Sequence, residues 1–372
     1  MQSVAQSWLI YRLTDSGFLL GLTATLTLIP SLLFGIYGGW LADRYSRRNL
    51  LLVAHTLAML QAFTLGVLTI GGWVAPWHIL LLALALGIVQ AVETPVRQSF
   101  IFQLVTRDNL PNAIALSSSM FHVARFIGPA IAGVLVTWIG EGPVFVINGF
   151  TFVAVLVSLF SLQLPRPTEV AEQKEGLIGI WSGLHYAWNH KLIRTALAMV
   201  ATVSLLGGSA VVLMPIFVVD VFNHGPDSLG LLMGMLGSGS LIGALMLASK
   251  RDYQLLERRV AISGVAVGIG LFIFAVNDLY WFALCVLIVI GFASTTVFAT
   301  SNALIQLTVP DHLRGRVMAL FAVCLHGMVS IGQLVLGSVA DVVGAPATAG
   351  FSGAVLFVLA LFLAVMLFKI KQ

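Results

Sequence analysis

Seventeen of the nineteen lysines and arginines in this chain fall in six short gaps or tails that alternate along a run of apolar spans. They are Arg44, Arg47 and Arg48; Arg97 and Arg107; Arg166, Lys174, Lys191 and Arg194; Lys250, Arg251, Arg258 and Arg259; Arg314 and Arg316; Lys369 and Lys371. The gaps between these clusters carry acids and aromatics but almost no base. Basic segments are retained on the cytoplasmic side of a membrane, so this alternation is the positive-inside pattern of a polytopic protein. Only helices and closed barrels satisfy every backbone polar group in lipid, and apolar runs of about 20 residues select the helix. The expected fold class is all-α, with both halves of the chain threaded the same way.

Hydrophobic residues make up 59% of the chain and charged residues 9%, against roughly 25% charged in an ordinary soluble domain. So few charges cannot cover a water-soluble protein of this length, and a lipid bilayer is the implied partner. The sequence pI near 9.3 does not imply nucleic acid, because the bases sit at segment ends and form no continuous stripe. Cys285 and Cys324 both lie inside apolar spans, where structural packing is expected of them rather than a disulfide framework. The N-terminus lacks the basic stretch, short apolar core and small-residue cleavage site of a signal peptide.

Full spans are expected near 18–41, 49–71, 77–98, 112–138 and 143–164, then near 195–221, 227–249, 258–276, 279–300, 316–341 and 346–368. Met1 to Leu13 reads as the outer half of another helix, since thirteen residues at 1.5 Å each reach only about 20 Å. The expectation is a first helix that has lost its front, an original twelve spans, and a cytoplasmic C-terminus. Residues 1–164 then form one six-helix half, 165–194 a cytoplasmic linker and 195–372 the second half. The linker turns amphipathic through Ile180, Trp181, Leu184, Tyr186 and Trp188, as a helix lying on the membrane surface would. Trp73, Trp77, Trp138, Tyr280 and Trp281 cluster at outer span ends as an aromatic belt. Phe102-Gln103-Leu104 through Asp108 and Leu110 recurs as Ile305-Gln306-Leu307 through Asp311 and Leu313, at the same point in each set of spans. Parallel repeats of this kind characterise secondary transporters, with a binding site near the midplane between halves.

The gap after the second span reads Gly39-Trp40-Leu41-Ala42-Asp43-Arg44-Tyr45-Ser46-Arg47-Arg48. It resembles motif A of the major facilitator superfamily, G-x-x-x-D-R/K-x-G-R-R/K, with Ser46 at the second glycine. A carboxylate here can accept hydrogen bonds from the amides opening the eleventh span and can pair with Arg97. Asp43 is thus expected to hold the cytoplasmic side closed and to release it when the halves rock apart. Arg44, Arg47 and Arg48 join it in this gate, or serve only to orient the segment.

In the fifth span, Ala124-Arg125-Phe126-Ile127-Gly128-Pro129-Ala130-Ile131-Ala132-Gly133 resembles motif C, G-x-x-x-G-P-x-x-G-G, which is associated with exporters of the superfamily. Ala124 replaces its leading glycine, and the final glycine is not doubled. Gly128, Pro129 and Gly133 are expected to bend this span and let a neighbour approach. The eighth span, with Gly230, Gly234, Gly237, Gly239 and Gly243, is the expected partner. Ordinary small-residue packing accounts for these glycines too.

Arg125 lies deep in its span with no neighbouring acid in sequence. It is expected to bind an anionic group, pair with backbone carbonyls or respond to protonation of a partner. Glu93 is either a proton carrier, as a desolvated carboxylate can be, or half of an intrahelical pair with Arg97 four residues on. His122 and His326 occupy nearly equivalent positions in the two halves, which suits a cavity; packing residues held by hydrogen bonds are the other reading.

Over almost the whole chain the sequence resembles a major facilitator superfamily transporter. Three stretches resemble its transmembrane secretion effector group, which includes the enterobactin exporter and macrolide efflux proteins. They are Met1-Gln2-Ser3-Val4-Ala5-Gln6-Ser7-Trp8-Leu9, Glu93-Thr94-Pro95-Val96-Arg97-Gln98, and Ala124-Arg125-Phe126-Ile127-Gly128-Pro129. The resemblance implies two rocking six-helix bundles, alternating access and an ion gradient, usually protons, in place of a bound cofactor. It implies a cavity lined by spans one, four, seven and ten, for which Gln6, Gln90, Met214 and Thr295 are the candidates here. Export of a siderophore or drug-like molecule by a monomer in the bacterial inner membrane is the implied function. A lysophospholipid or nutrient transporter, or a non-transporting scaffold or sensor, shares the architecture. Neither a nucleotide-binding loop nor a metal-ligand cluster is written in the sequence, and no enzyme nucleophile with its base is apparent.

Overall fold

The computed structural model describes residues 1–106, 109–162, 180–249 and 255–370. Among these the chain is helical throughout. The first set comprises α1 (Gln2–Thr14), α2 (Gly17–Arg44), α3 (Arg47–Ile70), α4 (Pro76–Leu104), α5 (Leu110–Ile139) and α6 (Glu141–Ser161). A short helix, α7 (Ile180–Asn189), leads into the second set. That set comprises α8 (Lys191–Val221), α9 (Pro226–Ser249), α10 (Leu256–Ala275), α11 (Tyr280–Thr308), α12 (Asp311–Ala322, Val323–Gly327 and Met328–Val343 in succession) and α13 (Ala345–Ile370). Ten of these spans are long and apolar enough, on their described residues, to cross a membrane.

The expected spans fall on these helices, with the largest differences where α4 and α11 run on to Leu104 and Thr308. Apolar counting stops at the edge of the hydrocarbon core. The helix continues beyond it, because its backbone bonds cost nothing more in the headgroup region. The turn after α5 and the turn after α12 are built alike. Gly140 (φ 79°) and Gly344 (φ 84°) each take a left-handed backbone and return their N–H to the preceding helix, to Val136 and Ala340. That conformation is open to glycine without steric cost. The same turn thus recurs at the same place in both sets.

Arg44, Arg97 and Arg316 mark one end of the bundle, here the basic face. Asp15, Glu141, Asp220, Asp227 and Asp341 mark the other, the acidic face. Trp73, Trp77, Trp138 and Trp281 stand exposed at the acidic ends of their helices, but Tyr280 is buried and donates its hydroxyl hydrogen to the Ser228 carbonyl at 3.2 Å. The linker helix α7 packs on the basic end of α12, with Gly183 against Arg316; residues 163–179 of the expected linker lie outside the described residues.

Within the first set α2 packs on α4 and α3 on α6; within the second, α10 packs on α13 and α9 on α11. Two antiparallel pairs join the sets: α5 with α9, and α2 with α12. α8 is the irregular member, passing through π-helical turns at Val203–Gly208 and Phe217–Val221 and a tight 3-10 turn at Ser209–Leu213. Paired glycines and Pro215 interrupt its hydrogen-bond ladder there.

Candidate transport site and gates

The acidic face is closed. The backbones of α2 and α12 touch through glycine: a methyl group on Gly17 would stand 2.6 Å from the Gly337 carbonyl oxygen, and one on Gly21 would stand 2.3 Å from that of Gln333. Thr25 donates its hydroxyl hydrogen to the Ser330 carbonyl at 2.8 Å, a buried bond between the sets. At the rim, the Asp341 carboxylate accepts hydrogen bonds from the N–H groups of Gly17 and Phe18, the latter at 2.9 Å, and from the Ser16 hydroxyl at 3.0 Å. Tyr11 on α1 reaches Asp220 on α8 at 2.8 Å. The second seam is as tight, since Gly133 of α5 lies backbone to backbone against Gly230 of α9.

Toward the basic face the α2–α12 seam parts. Among the described residues, a methyl group on Gly35 or Gly39 of α2, or on Gly315 of α12, would meet no atom within 4 Å. Leu33, Phe34, Tyr37 and Trp40 on α2 and Met120 and Phe121 on α5 are exposed there. The molecule is a pair of helical sets clamped at one end and separated at the other.

The bases of the motif after α2 all turn toward the first set. Arg47 donates to the Ala42 carbonyl at 3.4 Å and the Ser99 carbonyl at 3.3 Å. Arg48 donates to Leu159 and Phe160 at 2.8 and 2.7 Å, satisfying carbonyls at the end of α6. Arg44 lies over the Trp40 ring at 5.4 Å. The side chain of Asp43 lies outside the described residues. Arg97 pairs with Glu93 at 2.7 Å, one turn earlier on α4, and Thr94 also donates to Glu93.

Near mid-depth, Arg125 stands exposed on α5, with its guanidinium over the Phe121 ring at 5.8 Å. No carboxylate pairs with it among the described residues. His326 is exposed on the π-helical turn of α12. His122 is on α5 too, with a side chain outside the described residues. Gln6 is buried in α1 with its amide nitrogen unpartnered. Gln90 is half-buried on α4. Met214 is packed in the core, and Thr295 faces Gly243 of α9 inside the second set. Of the four expected lining residues, Gln6 and Met214 are buried and Thr295 faces Gly243 in this state.

The glycine partnership of the fifth and eighth spans divides in two. Gly230, Gly234 and Gly237 do face α5, against Gly133, Phe126 and Arg125 respectively. Gly239 and Gly243 face α11 instead, against Ile288 and Phe292. Two residues past Gly237 is a rotation of about 200° on a helix of 3.6 residues per turn, which carries the small face to the opposite side. Gly128 is outside the seam as well, with only the Met1 nitrogen at 4.0 Å.

The family model for transmembrane secretion effectors matches residues 1–372. The chain belongs to that family. Its fold is that of the major facilitator transporters, and it is a multi-pass membrane transporter rather than an enzyme. Among curated relatives of this secretion effector, the staphyloferrin A transporter of Staphylococcus aureus is 27% identical over 356 residues, covering 94% of this chain and 88% of that protein. The multidrug efflux pump Tap of Mycolicibacterium fortuitum is 23% identical, covering 93% of this chain and 86% of its own. The crystal structure of the nucleoside transporter NupG superposes with a TM-score of 0.74 at 15% identity, covering 98% of this chain and 97% of that one, a likeness of fold.

Within this family member, the sequence reading did not find Asp341, Gly337, Gly17 or the Tyr11–Asp220 pair. A single acid closing an apolar run looks like an ordinary span end. The available signal was the five residues Gly337-Ser338-Val339-Ala340-Asp341, which share Gly-x-x-Ala-Asp with Gly39 to Asp43.

Proposed function

We propose that this chain is a monomeric exporter in the bacterial cytoplasmic membrane. It moves a small amphipathic organic molecule, a siderophore or drug-like compound, outward by alternating access coupled to inward proton flow. One observation carries the reading: the sets are clamped at the acidic face and apart at the basic face. The positive-inside rule assigns the basic face to the cytoplasm. The described state then presents its central space to cytoplasmic cargo, and the C-terminus, at the basic end of α13, is cytoplasmic.

Arg125 supplies a fixed positive charge at mid-depth. No carboxylate pairs with it among the described residues, and an intramembrane ionisable residue marks a functional site by default, so cargo that carries an anionic group meets Arg125 with it, beside an apolar body that the exposed Phe121 and Met120 receive. The names of the two relatives carry transport of staphyloferrin A and multidrug efflux. Asp43 serves as the cytoplasmic latch of the outward-open state, and the Glu93–Arg97 pair lies in the same basic rim.

The test is transport in inverted membrane vesicles, with an anionic amphipathic dye and with ethidium, with and without a protonophore. Energised uptake that collapses with the uncoupler is expected. Uptake indifferent to the uncoupler removes proton coupling, and no uptake of either dye beyond empty vesicles counts against export of drug-like molecules.

A further inference from the structure

The two helices that form one seam end in the same five-residue pattern. α2 closes in Gly39-Trp40-Leu41-Ala42-Asp43 and α12 in Gly337-Ser338-Val339-Ala340-Asp341. The helices are antiparallel, so the pattern of α2 lies at the basic face and that of α12 at the acidic face. Each pattern therefore sits beside the N-terminus of the other helix. At the acidic face the pair is engaged: Asp341 accepts the Gly17 and Phe18 N–H groups at the start of α2, and Gly337 lies against Gly17. At the basic face the corresponding glycines, Gly39 and Gly315, meet no neighbour within 4 Å among the described residues.

We infer that Asp341 is a gate residue, the acidic-face counterpart of Asp43, and that the two carboxylates cap the two helices alternately. In the described state Asp341 satisfies the free N–H groups and positive end of α2, as a carboxylate at a helix N-terminus does. Rocking of the sets about the Thr25–Ser330 contact withdraws Asp341 from α2 and brings Gly39 against Gly315, where Asp43 caps α12. Each state thus holds one charged cap and one close glycine contact, so switching exchanges like for like. In this fold the parallel repeat relates α2 to α9, and the inverted repeat nested within the second set relates α9 to the oppositely directed α12. That relation is why one device appears at both faces.

Asp341 is thus a positioning residue: it touches no cargo and sets which face is open. The inference rests on the alternating-access reading, and the experiment separates the two. Cys285 and Cys324 are replaced by serine in the full chain. Spin-label pairs are then introduced at Leu13 and Val342 on the acidic face and at Tyr45 and Leu307 on the basic face, and distances are measured in lipid nanodiscs. Asp341→Asn should raise the population with the acidic-face pair apart about tenfold, and Asp341→Ala should raise it further. Asp43→Asn should shift it the other way, and the double variant should return toward the parent. A parent that switches between two distances while Asp341→Asn leaves their ratio unchanged overturns the inference and spares alternating access. A parent fixed at one distance for each pair, with and without ethidium, overturns both. A purely structural role would lower the melting temperature of Asp341→Asn without the opposed shifts, and that outcome too overturns the inference.

Discussion

Gly133 of α5 and Gly230 of α9 meet so closely that a methyl group on Gly133 would stand 2.8 Å from the Gly230 Cα and 2.6 Å from the Pro226 carbonyl oxygen. The two sets of helices are joined there backbone to backbone. In lipid such contacts rest on dispersion between small residues rather than on hydrophobic burial. The exporter-associated motif is therefore placed at the seam that must open when the acidic face opens.

Gly133→Ala is expected to wedge this seam. Transport should fall at least tenfold, while the amount of protein in the membrane changes little, because each set keeps its own packing. Gly350→Ala in α13, where a methyl group would meet Ala275 Cβ at an ordinary 3.6 Å among the described residues, should transport nearly as the parent does. Initial export rates normalised to membrane protein check both.

Gly239→Ala is expected to act on stability instead. Its methyl group would press on the Ile288 carbonyl and Cα inside the second set, and overpacking a closed interface costs about 1–3 kcal/mol. A lowered melting temperature in detergent, with residual protein retaining the parent's KM, is the expected result.

How far the sequence reveals this molecule depends on which physical signal is at stake. The spans are legible because each must be long, apolar and separated by charged ends, and the linker helix because Ile180, Trp181, Leu184 and Trp188 recur on one side of a helical wheel. The orientation of each span about its own axis is not legible at that level. Gly237 and Gly239 look equivalent in the sequence yet serve different interfaces, and Met214 and Thr295, placed in a cavity by their span numbers, face protein. Glu93 and Arg97 were legible as an i, i+4 pair, and the structure joins them. Asp341 was hidden because its meaning lies in the N–H groups of a helix more than 300 residues away in sequence, which no local pattern reports.

Arg48 illustrates the separation of scaffold from gate. It donates to two carbonyls at the end of α6, so Arg48→Ala should cost about 1 kcal/mol for a half-exposed charged contact. The expected loss is in thermal stability, with kcat near that of the parent. A kcat lowered tenfold at unchanged stability would assign Arg48 to the gate.

Arg125→Gln is expected to abolish transport of the anionic dye while leaving that of ethidium within about threefold of the parent. Arg125→Lys should restore part of the anionic flux, since it keeps the charge but loses the planar fork. Equal losses for both dyes would assign Arg125 to the scaffold instead of the cargo site.

The central claim is that the space between the sets opens on the cytoplasm in the described state. A thiol reacts with maleimide as the thiolate, so rapid labelling by a membrane-impermeant maleimide reports water and not lipid. With Cys285 and Cys324 replaced by serine, Gly35→Cys and Thr25→Cys are labelled in right-side-out and in inverted vesicles. Gly35→Cys should react in inverted vesicles only, and Thr25→Cys, at the buried contact with Ser330, should react slowly in both. Rapid labelling of Gly35→Cys from the outer side, with none from the cytoplasmic side, would contradict the account.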